Sequence, residues 1–256
     1  MEDSLQSVSA VVLAGRENTS RLKDVTAEQW EALIDIGGQP MLSWVLNALK
    51  QSRSVGSITV VAPRQQFAPQ YEGADVTVVE PRGTMIDNAL EGCRAAPDTE
   101  FVLVATSDIP FITGPIVDRF VDLCLRERAD FFYPILRKHE TEQRFPGVKR
   151  TYATLKEGTF TGGNIGLIRK SMVWSAAAKA NAFVENRKSP VKQAGLLGWS
   201  FVLKLLLKSL SLTELERTIS RYLGLRGKAV ILGDPEIGVD VDKPEDLELA
   251  RRMLQV

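Results

Sequence analysis

The chain has 256 residues, 44% of them hydrophobic, which is enough to bury a full α/β core and too apolar for a disordered segment. Its 32 basic residues match 32 acidic ones, so no global field gathers nucleic acid or an anionic membrane, and neither is expected as a partner. No stretch reaches the ~20 apolar residues of a spanning helix, and the opening MEDSLQSVSA has neither a basic leader nor an apolar segment, so a soluble, cytoplasmic protein is expected.

Short apolar runs at 8–13, 58–61, 76–79, 101–105, 131–135, 165–168 and 229–232 read as strands, and amphipathic segments fall between them. Pro40 leads into a helix over 41–51, Thr84 and Asp87 have the spacing of a capping box, and Pro115 stands in the first turn of a helix over 116–127. This alternation predicts a mostly parallel, Rossmann-like sheet with helices on both faces. From Lys138 the pattern changes to a polar stretch through Gly163 and a helical tract over 171–223 with the basic run Asn186-Arg187-Lys188. The chain is therefore expected to form one domain, 1–256, with an insertion over 138–227 building an acceptor-side helical lobe, before a closing helix over 244–254. Segment 196–212 is the most apolar. Lys204 and Lys208, four apart, place it as an amphipathic helix against its own core or a second copy rather than a membrane. Cys93 and Cys124 lie in apolar helical patterns and read as buried thiols, and His139, in a charged stretch, reads as a solvated loop residue.

Three clusters stand where strands of an α/β sheet end, the place where such folds bind ligands. The first, Leu13-Ala14-Gly15-Arg16 running on to Arg21, offers backbone N–H groups and guanidinium groups to phosphate oxygens. The second, Thr106-Ser107-Asp108-Ile109-Pro110, ejects a carboxylate from a buried strand; it suits a divalent cation as well as it suits a helix cap. The third, Gly238 to Asp246, reads as a short strand whose Asp240 and Asp242, two apart, point to one side, with a strand-end acid and an N-cap as the plain alternative.

In this order, the L-A-G loop with Arg21, Ile36-Gly37-Gly38-Gln39-Pro40-Met41, Ser107-Asp108-Ile109-Pro110 and Val241-Asp242-Lys243-Pro244-Glu245-Asp246-Leu247 resemble the MobA-like nucleotidyltransferases. Relatives there include the molybdenum-cofactor guanylyltransferases and the sugar- and methylerythritol-phosphate cytidylyltransferases. The resemblance implies a nucleotide-diphospho-sugar transferase-like fold and Mg²⁺-dependent transfer of a nucleotide from a nucleoside triphosphate to a phosphorylated small molecule, with pyrophosphate leaving. It implies nucleotide binding by Leu13, Ala14, Gly15, Arg16, Arg21, Gly83 and Thr84, and a metal site of Asp108 with Asp240 and Asp242. It places Gly162, Gly163 and Asn164 on the acceptor side, where a tight turn is the other reading of the two glycines.

The chain departs from the family pattern at three positions. Arg16 replaces the usual second glycine, Gln39 the usual lysine of I-x-G-K-P, and Glu31 the lysine that lies on the α-phosphate. A carboxylate there would repel phosphate, so Glu31 is expected to point away and Lys23 to supply the missing cation, acting with Arg21 and Asp108 in catalysis. Lys149, Arg150, Arg187, Lys188 and Lys192 are candidate cations for an acceptor phosphate, with surface solubility as the plain reading of each. The alternatives are a nucleotide-sugar-dependent glycosyltransferase using Asp240-x-Asp242, and a nucleotide-binding relative without catalysis.

Overall fold

The computed structural model describes residues 7–186 and 190–255. Chain order is β1 (Val8–Leu13), β2 (Asp35–Ile36), β3 (Gln39–Pro40), α1 (Met41–Gln51), β4 (Val55–Val61), α2 (Arg64–Tyr71), β5 (Val76–Val79), α3 (Met85–Ala95) and β6 (Phe101–Thr106). Next come α4 (Gly114–Leu125), β7 (Phe131–Arg137), α5 (Lys138–Arg144), β8 (Ala153–Leu155), β9 (Gly158–Gly162) and β10 (Ile165–Arg169). The chain continues through α6 (Val173–Glu185), α7 (Pro190–Leu197), α8 (Trp199–Leu206), α9 (Leu212–Leu223), β11 (Gly227–Leu232) and α10 (Pro244–Met253).

The main sheet has the order β5-β4-β1-β6-β10-β7-β9-β8, with β11 on the other edge of β7. The pairings make only β9 and β10 run against the remaining strands. Alternation along β1 explains the layers. Val8, Ala10 and Val12 face a core shared with Leu42, Leu46 and Leu49 of α1 and Val117 and Phe120 of α4, while Val11 faces Cys93 of α3 and Val173 of α6. Close packing of α3 on the sheet depends on Gly92, where an added Cβ would come 2.2 Å from Val11. Both cysteines are buried and free; burial pushes the Cys93 thiol up to about 11 and the Cys124 thiol up as well.

The seven strands expected from the apolar runs, α1 and the Thr84–Asp87 capping box are present, whereas no strand forms in Gly238 to Asp246. The polar stretch after Lys138 is more ordered than its sequence pattern suggested, forming α5 and the β8–β9 hairpin, and His139 lies exposed on α5 rather than in a loop. In the apolar segment, α8 ends at Leu206, so Lys204 and Lys208 do not share a helical face; Lys208 has a φ of 54° and Lys204 pairs with Glu214 at 2.5 Å. Phe201 and Val202 of α8 pack inward, leaving Trp199, Leu203 and Leu206 exposed. No described helix is long and apolar enough to cross a membrane. Arg187 and Lys188 lie outside the described residues.

Candidate active site

At the carboxyl end of β1 the chain leaves the sheet through Ala14, whose N–H donates to the carbonyl of Val61, and Gly15. An added Cβ on Gly15 would sit 3.3 Å from Pro81, so the first loop and the Pro81–Thr84 tract lie against each other. Gly83 has a φ of 70°, the left-handed conformation that glycine adopts freely, and turns the chain into the Thr84 cap of α3.

Beyond β6, Asp108 is fixed from two sides. Thr106 Oγ1 donates to Asp108 Oδ1 at 2.5 Å, and the Asp108 carbonyl accepts the N–H of Val241 at 2.9 Å. That backbone link carries the C-terminal acids to the strand end. One carboxylate oxygen from each of Asp108, Asp240 and Asp242 lies within 4.8 Å of the other two. Segment 239–242 is extended loop rather than strand, following a 3-10 turn over Pro235–Gly238, and α10 is capped by Lys243 without a side-chain bond. Neither plain alternative, an Asp108 cap or an Asp242 N-cap, is therefore present.

Two arginines answer part of this charge. Arg16 reaches across from the first loop, Nη1 to Asp242 at 3.0 Å and Nε to Glu31 at 3.2 Å. Arg150 pairs with Asp240, and its Nη2 lies 3.5 Å from the Gly162 carbonyl oxygen. Burial pushes the Asp108 carboxyl above the usual range, with the Asp242 charge adding to the effect, and burial holds the Arg150 guanidinium below its ordinary value. Three close carboxylates of hard oxygen donors, only partly neutralised by arginine, fit a Mg²⁺ ion.

Glu31 departs from expectation. It is 2% exposed and does not turn away from the loop: its carboxylate accepts Ser20 Oγ at 2.8 Å and pairs with Arg16, while its N–H donates to the Arg16 carbonyl at 3.1 Å. Burial, opposed by Ser20 and Arg16, pushes its carboxyl up. Lys23 sits exposed on the 3-10 turn Arg21–Asp24, with no ion pair among the described residues, and Arg21 pairs with Glu245 at 3.3 Å at the start of α10.

On the far side, β9 and β10 pair with the same edge of β7 in registers that differ by two residues, Gly162 opposite Ile135 and Leu167 opposite Phe132. Gly162, Gly163 and Asn164 form the resulting bulge, not a tight turn. Gly163 donates to the Pro134 carbonyl, and a Cβ there would lie 2.9 Å from both Ile237 and Pro134. The Asn164 carbonyl accepts the Thr106 N–H at 3.1 Å, joining the bulge to the Asp108 strand end, and its buried Nδ2 has no hydrogen-bond partner among the described residues.

Residues 10–190 match the MobA-like NTP transferase domain. The chain belongs to this family. Its members are nucleotidyltransferases, and the chain is an enzyme of that class. Its fold matches a hypothetical transferase from Thermus thermophilus with a TM-score of 0.82 and 40% identity, covering 94% of this chain and 99% of that one. It is 24% identical to a 3-deoxy-manno-octulosonate cytidylyltransferase of Bdellovibrio bacteriovorus, covering 87% of this chain and 90% of the relative. It is 28% identical to a 2-C-methyl-D-erythritol 4-phosphate cytidylyltransferase of Bordetella petrii, covering 62% and 75%.

The first loop thus lies against the Pro81–Thr84 tract and is joined through Arg16 to Asp242, and the bulge is joined to the Asp108 strand end, so segments read separately in the sequence come together at the carboxyl end of the sheet. Sequence reasoning underweighted Arg150 and misplaced Glu31. Arg150 reads as one more surface cation in a polar stretch, and only the bulge explains its proximity to Asp240.

Proposed function

We propose that the enzyme transfers a nucleoside monophosphate from a nucleoside triphosphate to a phosphorylated small molecule, with Mg²⁺. The observation that carries this is the convergence of Asp108, Asp240 and Asp242 beside the phosphate-binding type of loop at Gly15. The two relatives from Bdellovibrio bacteriovorus and Bordetella petrii are named cytidylyltransferases, which makes cytidine triphosphate the proposed donor.

In this reading Gly15 backbone, Arg16 and Arg21 hold the triphosphate, and the Pro81–Thr84 tract borders the base. Arg16 is aimed by Glu31, so the buried acid acts by positioning the cation that takes over from the family's lysine; Lys23 is not required. Mg²⁺ bound by Asp108 and Asp242 would supply the charge that neutralises the phosphate oxygens. Arg150 and Asn164 orient the acceptor phosphate. One of its oxygens attacks the α-phosphorus in line, the bond from that phosphorus to the bridging oxygen breaks, and pyrophosphate departs with the electron pair. Positioning and charge stabilisation suffice for such chemistry.

The test is pyrophosphate release from each common nucleoside triphosphate with Mg²⁺ and a panel of phosphorylated acceptors. The proposal expects release that needs both metal and acceptor. Absence of release with every donor and acceptor would overturn it.

A further inference from the structure

Between the sheet and the layer of α3, α6 and α9 lies a cavity of about 520 Å³. Its walls are almost wholly carbon: Leu90 of α3, Ala177, Ala180 and Phe183 of α6, and Ile219 of α9 face the sheet strands across it. It falls in the range of small-molecule sites, roughly 300–1,000 Å³, and far exceeds the ~30 Å³ share of one water. Apolar walls offer water few partners, so a space of this size is suited to an apolar occupant.

The cavity has a direction. Along β7 it runs from Phe131 to Ile135, a length of about 13 Å, and along α3 from Cys93 to Ile86. Ile135 and Ile86 lie at the catalytic end: Ile135 pairs with Gly162 of the bulge, and Ile86 follows two residues after the Thr84 cap. Gly162 belongs to both regions, since it lines the cavity while its carbonyl faces Arg150. Polar anchors thus stand at one end, Arg150 with the unpartnered Asn164 amide, and hydrocarbon walls lead away from them.

We infer that the phosphorylated acceptor is an amphiphile whose hydrocarbon chain occupies this cavity while its phosphate stays at the bulge. This rests on the nucleotidyl-transfer reading above and narrows its substrate class to alkyl-chain phosphates.

The test measures calorimetric binding of butyl, hexyl, octyl and decyl monophosphate below their micelle concentrations, together with pyrophosphate release from cytidine triphosphate and each other common nucleoside triphosphate. In the wild type, each buried methylene should tighten binding roughly fourfold, and longer chains should be better acceptors. Ala180→Trp, which fills the cavity from α6, should abolish the dependence on chain length while nucleotide with Mg²⁺ still stabilises the protein; Leu90→Trp does the same from α3 should the first variant fold poorly. Binding indifferent to chain length, or equally dependent on it in both tryptophan variants, overturns the assignment. Release onto short phosphates with no length dependence removes the cavity assignment alone. Length-dependent binding with no release from any nucleotide removes the transferase reading and the acceptor role with it.

Discussion

Replacing Glu31 by alanine separates a positioning acid from an inert one. The side chain is 3% exposed and holds Ser20 Oγ at 2.8 Å and Arg16 Nε at 3.2 Å. Loss of the charge-assisted hydrogen bond to Ser20 costs about 1.5–3 kcal/mol. The Arg16 pair adds less than about 1 kcal/mol, because the guanidinium is 57% exposed and screened by water. A total of about 1.5–4 kcal/mol corresponds to a fall in Tm of roughly 3–16 °C in a chain of this size. Arg16, freed from Glu31, would keep only its bond to Asp242, the ligand a metal needs. Turnover should therefore fall at least about tenfold, equivalent to ~1.4 kcal/mol of transition-state stabilisation. Glu31→Lys, which restores the family's residue type, should be worse, since it sets a buried cation against Arg16. Differential scanning calorimetry and a pyrophosphate assay read both effects. An unchanged Tm and turnover in Glu31→Ala, or a gain of activity in Glu31→Lys, would refute this reasoning.

Three other perturbations have definite outcomes. Asp130 accepts from Arg226 and Arg169 and ties the starts of β7 and β11 to the end of β10; the Arg226 bonds, followed by those of Arg169, hold its carboxyl at about 2. A depressed acid contributes stability above its unfolded value of about 3.9 and loses it as pH falls through about 2, so Asp130→Asn should cost on the order of 2 kcal/mol at pH 7, shrinking toward zero in acid, as urea unfolding across pH would report. Gly163→Ala forces a methyl to within 2.9 Å of Ile237 and Pro134 and should lower stability by about 1–3 kcal/mol in the same assay. Arg150→Met should raise the KM for acceptor at least about tenfold while leaving nucleotide-dependent stabilisation in place, which steady-state kinetics and thermal shifts distinguish.

The strands and α1 were legible in the sequence because apolar runs, prolines and capping residues act locally, and the motifs at Gly15 and Asp108 are seated at the ends of β1 and β6. Asp108 could be recognised as a candidate ligand for the same reason, since it stands at the tip of an otherwise buried strand. Segment 239–242 was harder, because two valines between acids mimic strand alternation, whereas the backbone bond from Val241 to Asp108 is what fixes it. The bulge at Gly162–Asn164 was not legible, since it arises from two strands sharing one edge of β7 in unequal registers, a relation between distant segments. Glu31 was misjudged by treating its charge alone. Its neutralisation depends on Arg16, itself a departure from the family pattern, and the two substitutions make sense only as a pair.

The most direct test of the central claim is thermal stabilisation by cytidine triphosphate, with and without Mg²⁺, in the wild type, Asp108→Asn and Asp242→Asn. A ligand at ~100 times its dissociation constant adds ~2.7 kcal/mol to stability. The account predicts that shift for the wild type only when Mg²⁺ is present, and its loss in both variants, whose folds remain intact because an amide preserves shape without charge. Equal stabilisation of all three proteins, or stabilisation indifferent to the metal, would contradict it.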